Sequence, residues 1–141
     1  MRITVYARVL AVGLVAAVGA GGCSTSHVTA FGSEATFNKV TGDMTTSVEA
    51  NLERSYAAAQ GAVEEMQFTT ESKAKDVTKA VLVTRTADKS RVQITMERRS
   101  ENVTDVMVGV SMMGKESMAR MVMDKLVARL KGTSEAKADG K

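Results

Sequence analysis

Cys23 is the only cysteine in the chain and His27 the only histidine, and both fall near its start. A thiol can be alkylated, oxidised or bound to a metal. A histidine can act as a base, provided that a third group holds it in place. His27 lies in a stretch of Ser, Thr and Gly with no clear periodicity, a setting that supplies no such support. Zinc asks for three or four nitrogen, sulfur or carboxylate ligands, and one His with one Cys is too small a set. Thioethers are soft ligands for Cu(I), and Met107, Met112, Met113, Met118, Met121 and Met123 crowd one segment. Met118 and Met121 also fit the apolar stripe of a helix, however, and Met readily fills irregular cores, so packing is their expected role. Glu64 and Glu65 are adjacent and point to different sides of a helix, while Glu97, Glu101 and Asp105 fit exposed strand faces or turns. These carboxylates read as a solvated surface rather than an acid/base pair. The glycines form no phosphate-cradling loop, and no aromatic-basic alternation suggests single-stranded nucleic acid. The expectation is therefore no catalytic residue, no cofactor, no metal and no nucleic-acid partner.

The thiol of Cys23 has a more specific setting. Arg2 and Arg8 form a positive start, Val9 to Ala20 is an uninterrupted apolar run, and Gly21 and Gly22 lead to the cysteine. A bilayer span needs about 20 apolar residues, so this shorter run suits a signal segment removed after export. A free single Cys in an exported protein invites intermolecular disulfides. The residues before Cys23 resemble a bacterial lipobox: Gly21 and Gly22 fill its small positions, and Ala20 stands where Leu is usual. That resemblance implies a thioether-linked diacylglycerol on Cys23, with cleavage just before it. An ordinary signal peptidase could instead cut after Ala20, with Val18 at the minus-three position. By resemblance to Gram-negative sorting rules, Ser24 favours the outer membrane. Two or three acyl chains give stable attachment where one holds only marginally.

Removing residues 1–22 changes the charge balance. The whole chain has 19 Lys and Arg against 16 Asp and Glu. Arg2 and Arg8 go with the leader, leaving 17 cations and a net of +1, so the mature chain gives no electrostatic case for nucleic acid. One domain is the natural count for 141 residues. With Cys23 modified, no disulfide is available, and Phe31, Phe37, Phe68 and Tyr56 are the only aromatics left. The core must be aliphatic and Met-rich, which about 90 ordered residues can just support.

The elements that would position any site follow from the spacing of apolar residues. Residues 23–41 are expected to form a lipidated N-terminus and flexible tether, 42–131 the domain, and 132–141 a disordered tail. Met44, Thr46 and Val48 alternate as a strand. Asn51 is a credible N-cap for a helix carrying Leu52, Tyr56, Ala59, Val63 and Met66 on one face. Gly61 inside that helix costs up to about 1 kcal/mol unless it permits close packing. Short strands are expected at 68–72, 80–86, 91–99 and 103–110. The third has the cleanest alternation, with Val92, Ile94 and Met96 opposed to Arg91, Gln93, Thr95 and Glu97. A second helix, 115–131, would bury Met118, Met121, Val122, Leu126, Val127 and Leu130, with Gly132 as its stop. The expected fold class is α+β: an antiparallel sheet of about four to five strands with two helices on one face, in the order β-α-β-β-β-α.

Several segments together resemble a family of small, uncharacterised bacterial lipoproteins, a domain of unknown function. They are Gly21-Gly22-Cys23, Leu52-Glu53-Arg54-Ser55-Tyr56 with its trailing alanines, Val81 to Ile94 with the Thr86-Ala87-Asp88 turn, and Val108-Gly109 through Gly114 to Asp124-Lys125-Leu126 and Arg129-Leu130. The resemblance covers most of residues 20–131. It implies an envelope location and a compact α+β domain, with no established activity. The layout also looks like small domains in lipoproteins of the outer-membrane barrel-assembly machinery, a likeness of fold alone. The expected function is a non-enzymatic envelope lipoprotein, lipidated at Cys23 and attached to the membrane by those acyl chains, that docks an envelope protein. Gln93, Thr95 and Glu97, with Arg85, Arg98 and Arg99 nearby, offer a docking surface, although a plain solvated face is the reading their composition favours. The alternative is a small apolar-ligand or lipid binder, with a cavity lined by Val92, Ile94, Val106, Val108 and Met121.

Overall fold

The computed structural model describes residues 26–30, 33–111 and 115–138, so Cys23 and the leader lie outside the described residues. Seven strands form one antiparallel sheet: β1 (Ser26–Ala30), β2 (Ser33–Asn38), β3 (Asp43–Val48), β4 (Thr69–Lys75), β5 (Lys79–Arg85), β6 (Arg91–Arg98) and β7 (Thr104–Val110). Two helices complete it, α1 (Leu52–Glu65) between β3 and β4 and α2 (Lys115–Ala138) after β7. The spatial order is β1-β2-β3-β7-β6-β5-β4. Two meanders thus meet at β3 and β7, and α1 carries the chain across the sheet to its far edge.

The period-2 pattern of the strands fixes which face is dry. One row across the sheet runs Phe37, Met44, Val108, Ile94 and Leu82 through successive register pairs. A second runs Ala35, Thr46, Val106, Met96 and Ala80. Every one of these side chains is buried. They face α1, which lies on β5 and β6, and α2, which lies on β3 and β7. Both helices sit on this face and touch each other, as an α+β arrangement requires.

Three expectations are corrected. First, the stretch read as a tether, 23–41, contributes β1 and β2 to the sheet. Its Ser and Thr content masks an alternation in β2 that turns Ala35 and Phe37 into the core, 0% and 5% exposed. Backbone pairing to β3 supplies the remainder, and the strand count rises from four or five to seven. Second, α2 continues through Gly132 to Ala138, so 132–138 is helix rather than tail. Gly costs about 1 kcal/mol inside a helix, too little to stop one followed by Glu135, Ala136 and Lys137. Third, the buried stripe of α2 is Ala119, Val122, Met123, Leu126, Val127 and Leu130. This i, i+3, i+4, i+7 series places Met123 inside and leaves Met121, expected in the stripe, 51% exposed.

Helix ends are locally specified. The Asn51 side chain accepts a hydrogen bond from the Arg54 backbone N–H at 2.9 Å, as an N-cap should. At the other end of α1, Gln67 adopts φ 57°. The Phe68 N–H donates to Val63 O and the Gln67 N–H to Glu64 O, the paired bonds of a Schellman turn. Gly61 does permit close packing: a Cβ there would stand 2.5 Å from an Arg129 guanidinium nitrogen. Edge strand β4 is exposed throughout and carries a register shift between Thr70 and Ser72, with Lys73 and Lys75 beyond it. Charge and irregularity of this kind discourage edge-to-edge pairing.

Candidate functional site

Among the described residues, no helix covers the second face of the sheet. Toward its β2–β3 turn end, across β3, β7 and β6, it carries a groove of 440 Å³ lined by Thr41, Asp43, Arg91, Gln93, Thr95, Met107, Gly109, Val110 and Ser111. The register explains why these residues meet. Asp43 and Gln93 each pair with Gly109, one from β3 and one from β6. Thr45 and Thr95 flank Met107 in the same way.

Gly109 lets the Asp43 side chain lie close over β7. A Cβ at this position would lie 2.6 Å from Asp43 Oδ1, so the missing side chain is the space the carboxylate crosses. Beside it, Ser111 clamps the backbone of Arg91. Its hydroxyl accepts from the Arg91 N–H at 3.1 Å and donates to Arg91 O at 3.2 Å, while its own N–H donates to the same oxygen at 2.9 Å. That fixes the start of β6 and leaves the Arg91 side chain exposed at the groove's rim. Gln93 Nε2 donates to Thr95 Oγ1 at 3.4 Å. Thr95 is buried at 5%, whereas Met107 is 38% exposed. One carboxylate, one guanidinium, an amide and a thioether make a surface suited to polar and apolar contact with a partner chain.

The residues singled out from the sequence are dispersed. Gln93 and Thr95 line the groove. Glu97 lies beyond it, paired with Lys79 at 2.6 Å. Arg85 is held by Glu71 at 2.6 Å, and Arg99 by Asp105 at 3.0 Å. Asp105 also accepts from Ser47 Oγ. Arg98 shares the pleat side of Val92, Ile94 and Met96, so it belongs to the helix-bearing face. Glu101 is an exposed turn residue and Glu64 an exposed helix residue. Glu65 bridges the helices: Lys125 donates to it, and Arg129 Nε lies 3.4 Å away. The Lys125 hydrogen bond and charge, aided by Arg129, hold the Glu65 carboxyl below its ordinary pKa. In the β5–β6 turn, hydrogen bonds from Thr86 and then Ser90 lower Asp88 similarly.

His27 belongs to β1. Among the described residues, Met123 is buried under the helices, whereas Met107 lies on the opposite face of the sheet. Met112 and Met113 lie outside the described residues. Val92, Ile94, Val106 and Val108 have no accessible surface, so no water-sized cavity touches them, and Met121 faces outward. Sequence reasoning missed Thr41, Asp43, Arg91, Met107, Gly109 and Ser111 as neighbours in one groove. A glycine between two inward valines was the available signal, because glycine inside a strand marks a close approach.

Residues 5–129 match the model of a family described as protein of unknown function (DUF3568). No curated protein matches the chain.

Proposed function

Because this chain belongs to the DUF3568 family of proteins of unknown function, we propose that it is a lipid-anchored bacterial envelope protein acting as a non-enzymatic docking module. The anchor is an acylated Cys23, and the attachment is to the outer membrane, with the domain facing the periplasm. Support for the anchor comes from the apolar leader and its Gly21-Gly22-Cys23 ending, a segment that the family match spans. The docking role rests on one observation: among the described residues no helix covers one face of the sheet, and the groove beside Gly109 lies on that face. A partner chain laid there would meet Asp43 and Arg91 as opposite charges at fixed places and Met107 as an adaptable apolar contact.

A photo-reactive amino acid placed at Met107 tests this reading in intact cells. The expected result is a single discrete adduct that disappears when Gln93→Arg fills the groove. Crosslinking from the exposed Val77, at one end of the sheet, gives no such adduct. Absence of any adduct at Met107 from membrane-held protein would contradict the docking role.

A further inference from the structure

We propose that one end of the sheet rests directly in the lipid headgroup layer, with the β2–β3 turn as its contact; this rests on the acyl anchor at Cys23. The strand β1 begins at Ser26, three residues after Cys23. At about 3.8 Å between successive Cα atoms, Cys23 and Ser26 are separated by at most about 11 Å. The headgroup region on each side of a bilayer is about 5–8 Å deep. Acyl chains on Cys23 therefore bring the start of β1 to within a few ångströms of that layer. A floppy spacer as long as residues 23–41 would have let the domain stand far off; its incorporation into the sheet removes that freedom.

The same end of the sheet carries suitable chemistry. Ser26 pairs with Phe37 in β2, so Asn38 and the turn 39–42 project past the start of β1 on the side toward Cys23. This turn is well built. Gly42, at φ 78°, donates its N–H to Asn38 O at 2.8 Å, and Asn38 Oδ1 accepts from the Val40 N–H at 2.9 Å. It presents Val40, 93% exposed, beside Lys39. The turns at this end hold Lys39, Asp88 and Lys89, a net of one positive charge; those at the other end hold Glu49, Asp76, Arg99 and Glu101, a net of two negative charges. Among the described residues no carboxylate pairs with Lys39, Lys89 or Arg91. The polarity suits anionic lipid, which attracts cations within a Debye length of the surface. Val77 at the opposite end is also exposed, at 73%, and serves as an internal control.

The chain has no tryptophan, so Val40→Trp and Val77→Trp each install a single reporter at an exposed site. Each variant is purified from membranes as the full processed chain, weighed intact to establish acylation, and placed in vesicles of phosphatidylethanolamine and phosphatidylglycerol carrying brominated acyl chains. The expected result is a blue-shifted, strongly quenched emission from Val40→Trp and water-like, unquenched emission from Val77→Trp. Acylated protein in which both reporters are equally water-exposed would overturn the headgroup contact and leave the anchor standing. A mass without acyl chains would overturn both.

Discussion

Ser55 is wholly buried in α1, and its hydroxyl finds no hydrogen-bond partner. A buried polar group left unpaired costs about 1–3 kcal/mol, and Ala is the better helix former. Ser55→Ala should therefore raise the stability of the domain by about 1 kcal/mol, read as a higher urea midpoint at unchanged slope. A lower midpoint would mean that the hydroxyl has a role in the native state. Glu65 carries a second residue-scale consequence. Its folded-state pKa is depressed, so its pairing with Lys125 and Arg129 stabilises above the ordinary carboxylate pKa and is lost as pH falls through that value toward the depressed one. Asp88 acts in the same direction. Glu65→Gln should flatten the acid limb of stability against pH, and an unaltered limb would show that the bridge between helices contributes nothing. Such details were only partly legible in the sequence. Gly61 carries a helix cost unless it allows close packing, and the Arg129 guanidinium does approach it closely. Met121 is exposed and Met123 buried, a distinction hidden from the sequence because two apolar residues of one type two positions apart leave the phase of a helix ambiguous.

The helices and central strands followed from periodicity, because burial on one side imposes period 2 on a strand and 3.6 on a helix. The β1–β2 hairpin did not. Its apolar content is small, and Ser and Thr serve equally in linkers and in edge strands. Phe37 distinguishes the two readings: it is 5% exposed and pairs with Met44 in the row under the helices. Phe37→Ala should lower stability by about 3 kcal/mol, within the usual span for such core truncations, whereas a residue in a tether would give no change by the same denaturation measurement. The length of α2 was underestimated for a related reason. Gly132 has the residue type of a terminator, yet a Cβ there would meet nothing within 4 Å. Beyond it the helix runs on to Ala138, and the Thr133 hydroxyl donates to Arg129 O at 2.8 Å within it. The groove was the least legible element of all, because it is assembled from three strands.

Across the whole molecule, the α+β class, the antiparallel sheet and the shared face of the helices were all inherent in the order of apolar patterns. Function was not, since the groove is assembled from residues distant in sequence, and the proposed role of the Cys23 thiol is in targeting. On the proposed reading, an acylated Cys23 stands at most about 11 Å from the first strand, so anchor and fold would form one unit at the membrane. Intact mass spectrometry of the mature protein extracted from its own membranes tests that union most directly. The expected mass is that of residues 23–141 with diacylglycerol, and a further acyl group where the amine is modified, on Cys23. A product matching unmodified polypeptide, whether cut after Ala20 or left whole, would contradict it.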